Sequence, residues 1–194
     1  MRKRIHLSCL LAASTCLTAG TASADFTIGA GQTETTPQVL TNNESGIVEF
    51  GGTLMAPGDA ILGNDGNTIT NAGTVVGVGR GIAANSGNTI TNTGTVTGGD
   101  IGIVGFFNST ILNSGTVSAT NAGATGIGVN SDGVVINSGT VTSAEDGIAL
   151  GGSNILNNSG VINGGVVGVL SNNNNTITNS GTIIGGTHAV EFEN

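Results

Sequence analysis

A motif of the form N-x-G recurs along this chain with a nearly constant period, and no other feature limits the fold as much. Its glycines are Gly73, Gly94, Gly115, Gly139, Gly160 and Gly181, spaced 21, 21, 24, 21 and 21 residues apart. A period near 21 is the mark of a solenoid, in which one repeat cannot bury its apolar face alone and must stack on its neighbours. The columns around the anchor show what each repeat is. Four residues before it stand Ile69, Ile90, Ile111, Val135, Leu156 and Ile177, and two after it Val75, Val96, Val117, Val141, Ile162 and Ile183. These apolar columns share one parity, while Thr and Ser fill most of the other. That is the period-2 alternation of a half-buried strand. Helix is disfavoured because Gly, Asn, Thr and Val are all poor helix formers.

A second apolar mark follows eight and nine residues after the anchor, as Gly81-Ile82, Gly102-Ile103, Gly147-Ile148, Gly168-Val169 and Ala189-Val190. In the long repeat the pair is Gly126-Ile127, so its three extra residues fall within Ser118–Thr125, at a turn that can absorb them. Each repeat should therefore be one coil of two or three short strands. Coils in register bring equal residues together at roughly 4.8 Å. The Asn two before each anchor (Asn71, Asn92, Asn113, Asn137, Asn158, Asn179) should then form an amide ladder, inward or at the bend. Extending the period backward places Gly52 as a further anchor, with Val48 in the Ile column and Phe50 in place of the Asn. The expectation is an all-β solenoid of about seven coils of ~21 residues over 47–194. Residues 25–46 fit loosely and read as an N-terminal cap or first irregular coil.

The first 24 residues have the form of an export signal. Arg2, Lys3 and Arg4 precede the apolar stretch Ile5–Leu17, and Ala22-Ser23-Ala24 offers a small-x-small cleavage site, so a mature chain would begin at Asp25. Both cysteines, Cys9 and Cys16, belong to this leader, so neither is expected to form a disulfide in the mature chain. So do three of the four basic residues, leaving Arg80 against twelve carboxylates, a formal charge of −11. A chain without clustered Lys or Arg cannot displace counterions from a polyanion, which excludes nucleic acid as a partner and disfavours anionic membranes.

The leader, the mature start ADFTIGAGQTETTPQVLTNNESGIVEFGGTL and the repeats of form ITNSGTVTG…GI resemble the passenger domains of Gram-negative autotransporters. The resemblance covers essentially the whole mature chain, and the N-x-G-x-[VI] repeat is shared with filamentous haemagglutinin-like exoproteins. It implies a right-handed parallel β-helix, exported through Sec and acting as a noncatalytic structural or adhesive module. The implied partners are host-surface or extracellular-matrix ligands or neighbouring cells. The family's C-terminal β-barrel does not follow in this sequence. The chain reads as the N-terminal part of a passenger, a truncated frame or a short stand-alone relative. Its place would be the cell surface if it is part of a complete autotransporter, and the periplasm otherwise. A last coil without a cap is an edge through which copies are expected to associate end to end.

Two other activities are weighed on the residues. A polysaccharide hydrolase or lyase needs paired carboxylates at set separations. Asp100 and Glu145 share a column two coils apart, about 9.6 Å by strand spacing, with Asp146 beside the latter. There is no Trp or Tyr to stack a sugar. An ice-binding solenoid needs a regular Thr-x-Thr array. Thr68/Thr70, Thr89/Thr91 and Thr176/Thr178 supply it, but Thr110/Leu112, Val134/Ile136 and Ile155/Asn157 interrupt it. Gly63-Asn64-Asp65-Gly66 occurs once, Arg80 shows no acidic residue at a familiar spacing, and His188 has no His or Cys at ligand spacing. They read as surface residues. No catalytic, metal or cofactor-binding residue is assigned, and no cofactor is expected.

Overall fold

The computed structural model describes residues 25–193 of the chain. The leader 1–24 lies outside the described residues. Each coil contributes one strand to each of three sheets, and each sheet holds eight strands stacked in parallel. In the coil that starts the regular repeat the strands are Thr68–Asn71, Thr74–Gly77 and Arg80–Ser86. The next coil repeats them at Thr89–Asn92, Thr95–Gly98 and Ile101–Phe107. Ile69 stacks on Ile90, Val75 on Val96 and Ile82 on Ile103. The fold is a parallel β-solenoid of eight coils.

The core is the interior of the triangle formed by the sheets. Each central coil gives it at least one residue from each sheet: Ile90, Val96 and Ile103, then Ile111, Val117 and Ile127, then Val135, Val141 and Ile148, all without solvent exposure, with Val129 and Leu150 adding a second from the third sheet. Burying a side chain of this size contributes roughly 1.5–3 kcal/mol. Three per coil make the ladders the main favourable term. The insertion of the long repeat lies at 120–124, between the strands Thr116–Ala119 and Thr125–Ser131. Both flanking registers continue across it undisturbed.

The N-terminal end adds one detail to the sequence expectation and corrects another. Residues 25–46, read as an N-terminal cap or first irregular coil, supply three short strands, Phe26–Ile28, Thr33–Glu34 and Gln38–Leu40, each paired in parallel with the coil above. Their offsets to that coil are 20, 20 and 23 residues, because the bends between the paired positions differ in length, and this hides the coil from a fixed period. For the same reason Phe50 does not occupy the Asn column. Val48 stacks on Asn71 and Gly46 on Ile69, an offset of 23, while Leu54 stacks on Val75 at 21. The two extra residues are absorbed in the bend, where Phe50 is 84% exposed. Gly46 leaves a gap in the Ile column that the Phe26 ring fills. A Cβ on Gly46 would lie 2.5 Å from that ring.

The anchor glycines are also explained differently from a turn requirement. None of the six has a positive φ. A Cβ on Gly94, Gly115, Gly139, Gly160 or Gly181 would lie 2.1 Å from the carbonyl oxygen of the glycine one coil below. The residue is fixed by the close approach of one bend to the next, where the missing Cβ matters and not the conformational freedom of glycine. Positive φ falls mainly at the bend from third sheet to first, on Asn43, Gly66, Gly87, Asn108, Asp132, Ser153 and Asn174, and elsewhere on Gly31, Gly51 and Gly123.

Candidate functional site

Two polar columns run the length of the stack, and both serve the backbone. In the first, Asn71 Nδ2 donates to Asn92 Oδ1 at 2.8 Å, Asn92 to Asn113 at 2.8 Å, Asn113 to Asn137 at 2.8 Å, Asn137 to Asn158 at 2.7 Å and Asn158 to Asn179 at 2.7 Å. The expected amide ladder is present, buried at the bend between first and second sheets. Its direction is fixed by the backbone. Each Nδ2 also faces a carbonyl, Thr95 O at 3.0 Å from Asn71 and Thr116 O at 3.2 Å from Asn92, and a carbonyl can only accept. At the lower end, where Val48 offers no amide, Asn71 Oδ1 accepts from the N–H of Gly73 at 3.2 Å.

The second column stands six residues before each anchor and is not part of the sequence reading above. Asn67, Asn88, Ser109, Asn154 and Asn175 line the bend from third sheet to first, and the first four are buried. Asn67 Oδ1 accepts from the N–H of Glu44, Asn88 Oδ1 from that of Asn67, Asn154 Oδ1 from that of Gly133 and Asn175 Oδ1 from that of Asn154, all at 2.7–2.8 Å. The signal was present in the sequence as the leading Asn of N-T-I-T-N.

The charged residues are dispersed. Asp100 and Glu145 do share a column, but the coil between them places Ala124 there: the N–H of Thr125 donates to Asp100 O, that of Asp146 to Ala124 O, and that of Val167 to Glu145 O. Asp100 accepts from Asn121 Nδ2 at 2.8 Å, and Glu145 Oε2 lies beside Gly123. Asp146 opens a third-sheet strand, stacked between Thr125 and Val167. Asp65 caps the next coil, its Oδ1 accepting from the N–H of Ser86 at 3.0 Å, so the Gly63–Gly66 segment is a bend with Gly66 at φ 71. His188 is a largely exposed residue whose Nδ1 lies 3.4 Å from Glu191. Among the described residues no three His, Asp or Glu are grouped to hold a metal ion.

Arg80 corrects the sequence reading. It does have an acidic partner, Asp59, one coil below at a separation of 21 residues. Nη2 and Nε donate to Asp59 Oδ2 at 2.6 and 3.0 Å, and the Arg80 N–H donates to Oδ1 at 2.8 Å. The period itself was the diagnostic spacing. One carboxylate has a displaced pKa: the Thr36 hydroxyl, then the N–H groups of Thr36 and Thr35, hold Glu34 below its ordinary range.

What remains is surface. The outer face of the second sheet carries Thr33, Thr53, Thr74, Thr95, Thr116 and Thr140 in one unbroken stacked column, resuming at Thr182 after Val161. Beside it Thr97, Ser118 and Thr142 form a second hydroxyl column over three coils, with Thr97 Oγ1 and Ser118 Oγ 3.0 Å apart. The outer face of the first sheet is mixed, and its Thr pairs give way to Ile136 and Ile155, 42% and 43% exposed. No protein-family model, curated protein or solved structure matches this chain. Any function must therefore be argued from these faces.

Proposed function

We propose that the chain is an exported, noncatalytic solenoid of autotransporter-passenger type, whose role is structural or adhesive. The observation that supports this is the division of labour among the repeated columns. Ile, Val, Asn and Gly columns all act inside the stack or between bends, and the acidic residues are dispersed over bends and strand ends along it. The repeated feature offered to solvent is a long hydroxyl face on the second sheet. Such a face suits weak contacts repeated at the coil spacing, in which many sites held on one rigid rod add up to useful avidity. Host-surface or matrix ligands are the partners this reading implies.

The test is adhesion of the purified Asp25–Asn194 chain to immobilised matrix proteins and whole cells, with and without the triple change Thr74→Ala, Thr95→Ala and Thr116→Ala. Saturable binding lost in the triple variant supports the reading. Release of reducing or unsaturated sugar ends from acidic polysaccharides, abolished by Glu145→Gln, would replace it with an enzymatic one.

A second reading is favoured by the unbroken Thr column alone. A flat, rigid row of hydroxyl and methyl groups is also what an ice surface would take, and it lies on the second sheet, not on the first-sheet pairs. Thermal hysteresis in the mature chain that vanishes with Thr95→Lys would support ice binding over adhesion.

A further inference from the structure

Four Asn-x-Ser/Thr triplets lie in the stack: Asn43-Glu44-Ser45, Asn108-Ser109-Thr110, Asn157-Asn158-Ser159 and Asn174-Asn175-Thr176. Such a triplet is the acceptor pattern for N-linked sugars, and it serves as one where its asparagine sits on an accessible bend. Three of the four are placed alike. Asn43, Asn108 and Asn174 stand at the bend from third sheet to first, with φ of 61, 50 and 61. Gly66, Gly87, Asp132 and Ser153 hold the equivalent position in the coils between them. The three asparagines therefore recur at every third coil, about 14 Å apart by strand spacing.

Backbone conformation alone does not account for this arrangement. A left-handed position favours Asn, but Gly, Asp and Ser meet the same requirement in the other coils, and the requirement says nothing about the residue two further on. Asn43, Asn108 and Asn174 are each followed there by a hydroxyl, on Ser45, Thr110 and Thr176. In the same stacked column Asp132 and Ser153 are followed by Val134 and Ile155, and Gly66 and Gly87 by Thr68 and Thr89. All three side chains are exposed, and among the described residues none of their amides is held by a hydrogen bond. The ladder amides are the opposite case, since Asn113 is buried and bonded through both its oxygen and its nitrogen. Asn157 differs in another way. It lies inside the strand Ile155–Asn158, paired with Ile136 on one side and Thr178 on the other.

We propose that Asn43, Asn108 and Asn174 are N-glycosylation sites, a row of acceptors along one edge of the rod for a sugar activated as its anomeric diphosphate. The Asn Nδ2 attacks the anomeric carbon, and an N–C bond forms as the C–O bond to the diphosphate breaks. The diphosphate, carried on a nucleotide or a polyprenol, leaves with the electron pair, and one amide proton passes to a base of the transferase. No ladder bond is lost, because none of these amides belongs to a ladder.

The test is mass spectrometry of peptides from the full-length chain, expressed in and recovered from the cells that encode it. Sugar is expected on the peptides bearing Asn43, Asn108 and Asn174, at an occupancy at least tenfold above that of Asn157. Either a single hexose, the mark of a nucleotide-linked donor, or an oligosaccharide, the mark of a polyprenol-linked one, supports the proposal. Thr110→Ala should lower occupancy at Asn108 at least tenfold and Thr110→Ser should restore it. Asn43 and Asn174 should be unchanged in the same molecules, which separates loss of the acceptor from loss of the fold. Bare peptides at all three positions, equal occupancy at Asn157, or an Asn108 indifferent to Thr110→Ala would each overturn it.

Discussion

Truncation of one amide in the middle of the Asn ladder should cost far more than truncation at its end. Asn113 is 2% exposed. Its Oδ1 accepts from Asn92 and its Nδ2 donates to Asn137, both at 2.8 Å. In Asn113→Ala both bonds are lost, at about 0.5–1.5 kcal/mol each. Asn92 Nδ2 keeps the carbonyls of Gly94 and Thr116 within reach, but Asn137 Oδ1 is left buried without its donor, which costs a further ~1–3 kcal/mol. The expected loss is about 3 kcal/mol. Asn179→Ala removes a single ladder bond at an exposed position and should cost under about 1 kcal/mol. Urea unfolding followed by circular dichroism measures both, with m-values compared because stacked repeats can depart from two-state behaviour. Asn113→Asp adds a sign test. A buried carboxylate facing the Asn137 carbonyl oxygen is disfavoured in its charged form, so its folded pKa lies above the ordinary ~3.9. The penalty should develop as pH rises above about 4 and be relieved below it, where the protonated acid can donate to Asn137. Equal losses at positions 113 and 179, or a pH-independent Asn113→Asp, would refute the cooperative ladder.

Three further outcomes follow from the same geometry. Gly94→Ala forces a Cβ to 2.1 Å from Gly73 O and should destabilise by roughly 3 kcal/mol or more; Gly128→Ala meets only Val104 Cγ2 at 3.6 Å and should lie within about 1 kcal/mol of wild type by thermal melting. Ser153, held at φ 60, should gain about 1 kcal/mol on replacement by glycine, read as a rise in Tm. Glu34 is held below the ordinary glutamate value of 4.5 by the Thr36 and Thr35 donors, so its contribution is complete above that pH and lost as pH falls through its lower folded value. The Tm difference between wild type and Glu34→Gln should therefore be constant near neutrality and shrink on acidification below 4.5.

The strands and the Asn71-to-Asn179 ladder were legible because stacking copies one residue type up a column, and a column is visible at a fixed period. Three features were hidden because they depend on what varies. Bends of different length removed residues 25–46 from the period and shifted Val48 and Phe50 by two positions. The Arg80–Asp59 pair belongs to a column that goes on through Ile101, Thr125, Asp146 and Val167, so no repeated residue type marks it. The role of Gly94 belongs to the contact between bends, and only the spacing of neighbouring carbonyls distinguishes close approach from a positive φ.

The most direct test of the stacked architecture is the distance between equivalent positions on different coils. Once the leader carrying Cys9 and Cys16 is removed, spin labels can be placed at introduced cysteines alone, at Thr70 and Thr178 or at Thr91 and Thr178. These pairs are five and four coils apart on the outer face of the first sheet. At about 4.8 Å per coil, pulsed electron paramagnetic resonance should give narrow backbone separations near 24 and 19 Å, after allowance for the label arms. Broad distributions, or two separations that do not differ by about one coil, would contradict a stack in which each repeat is one rung.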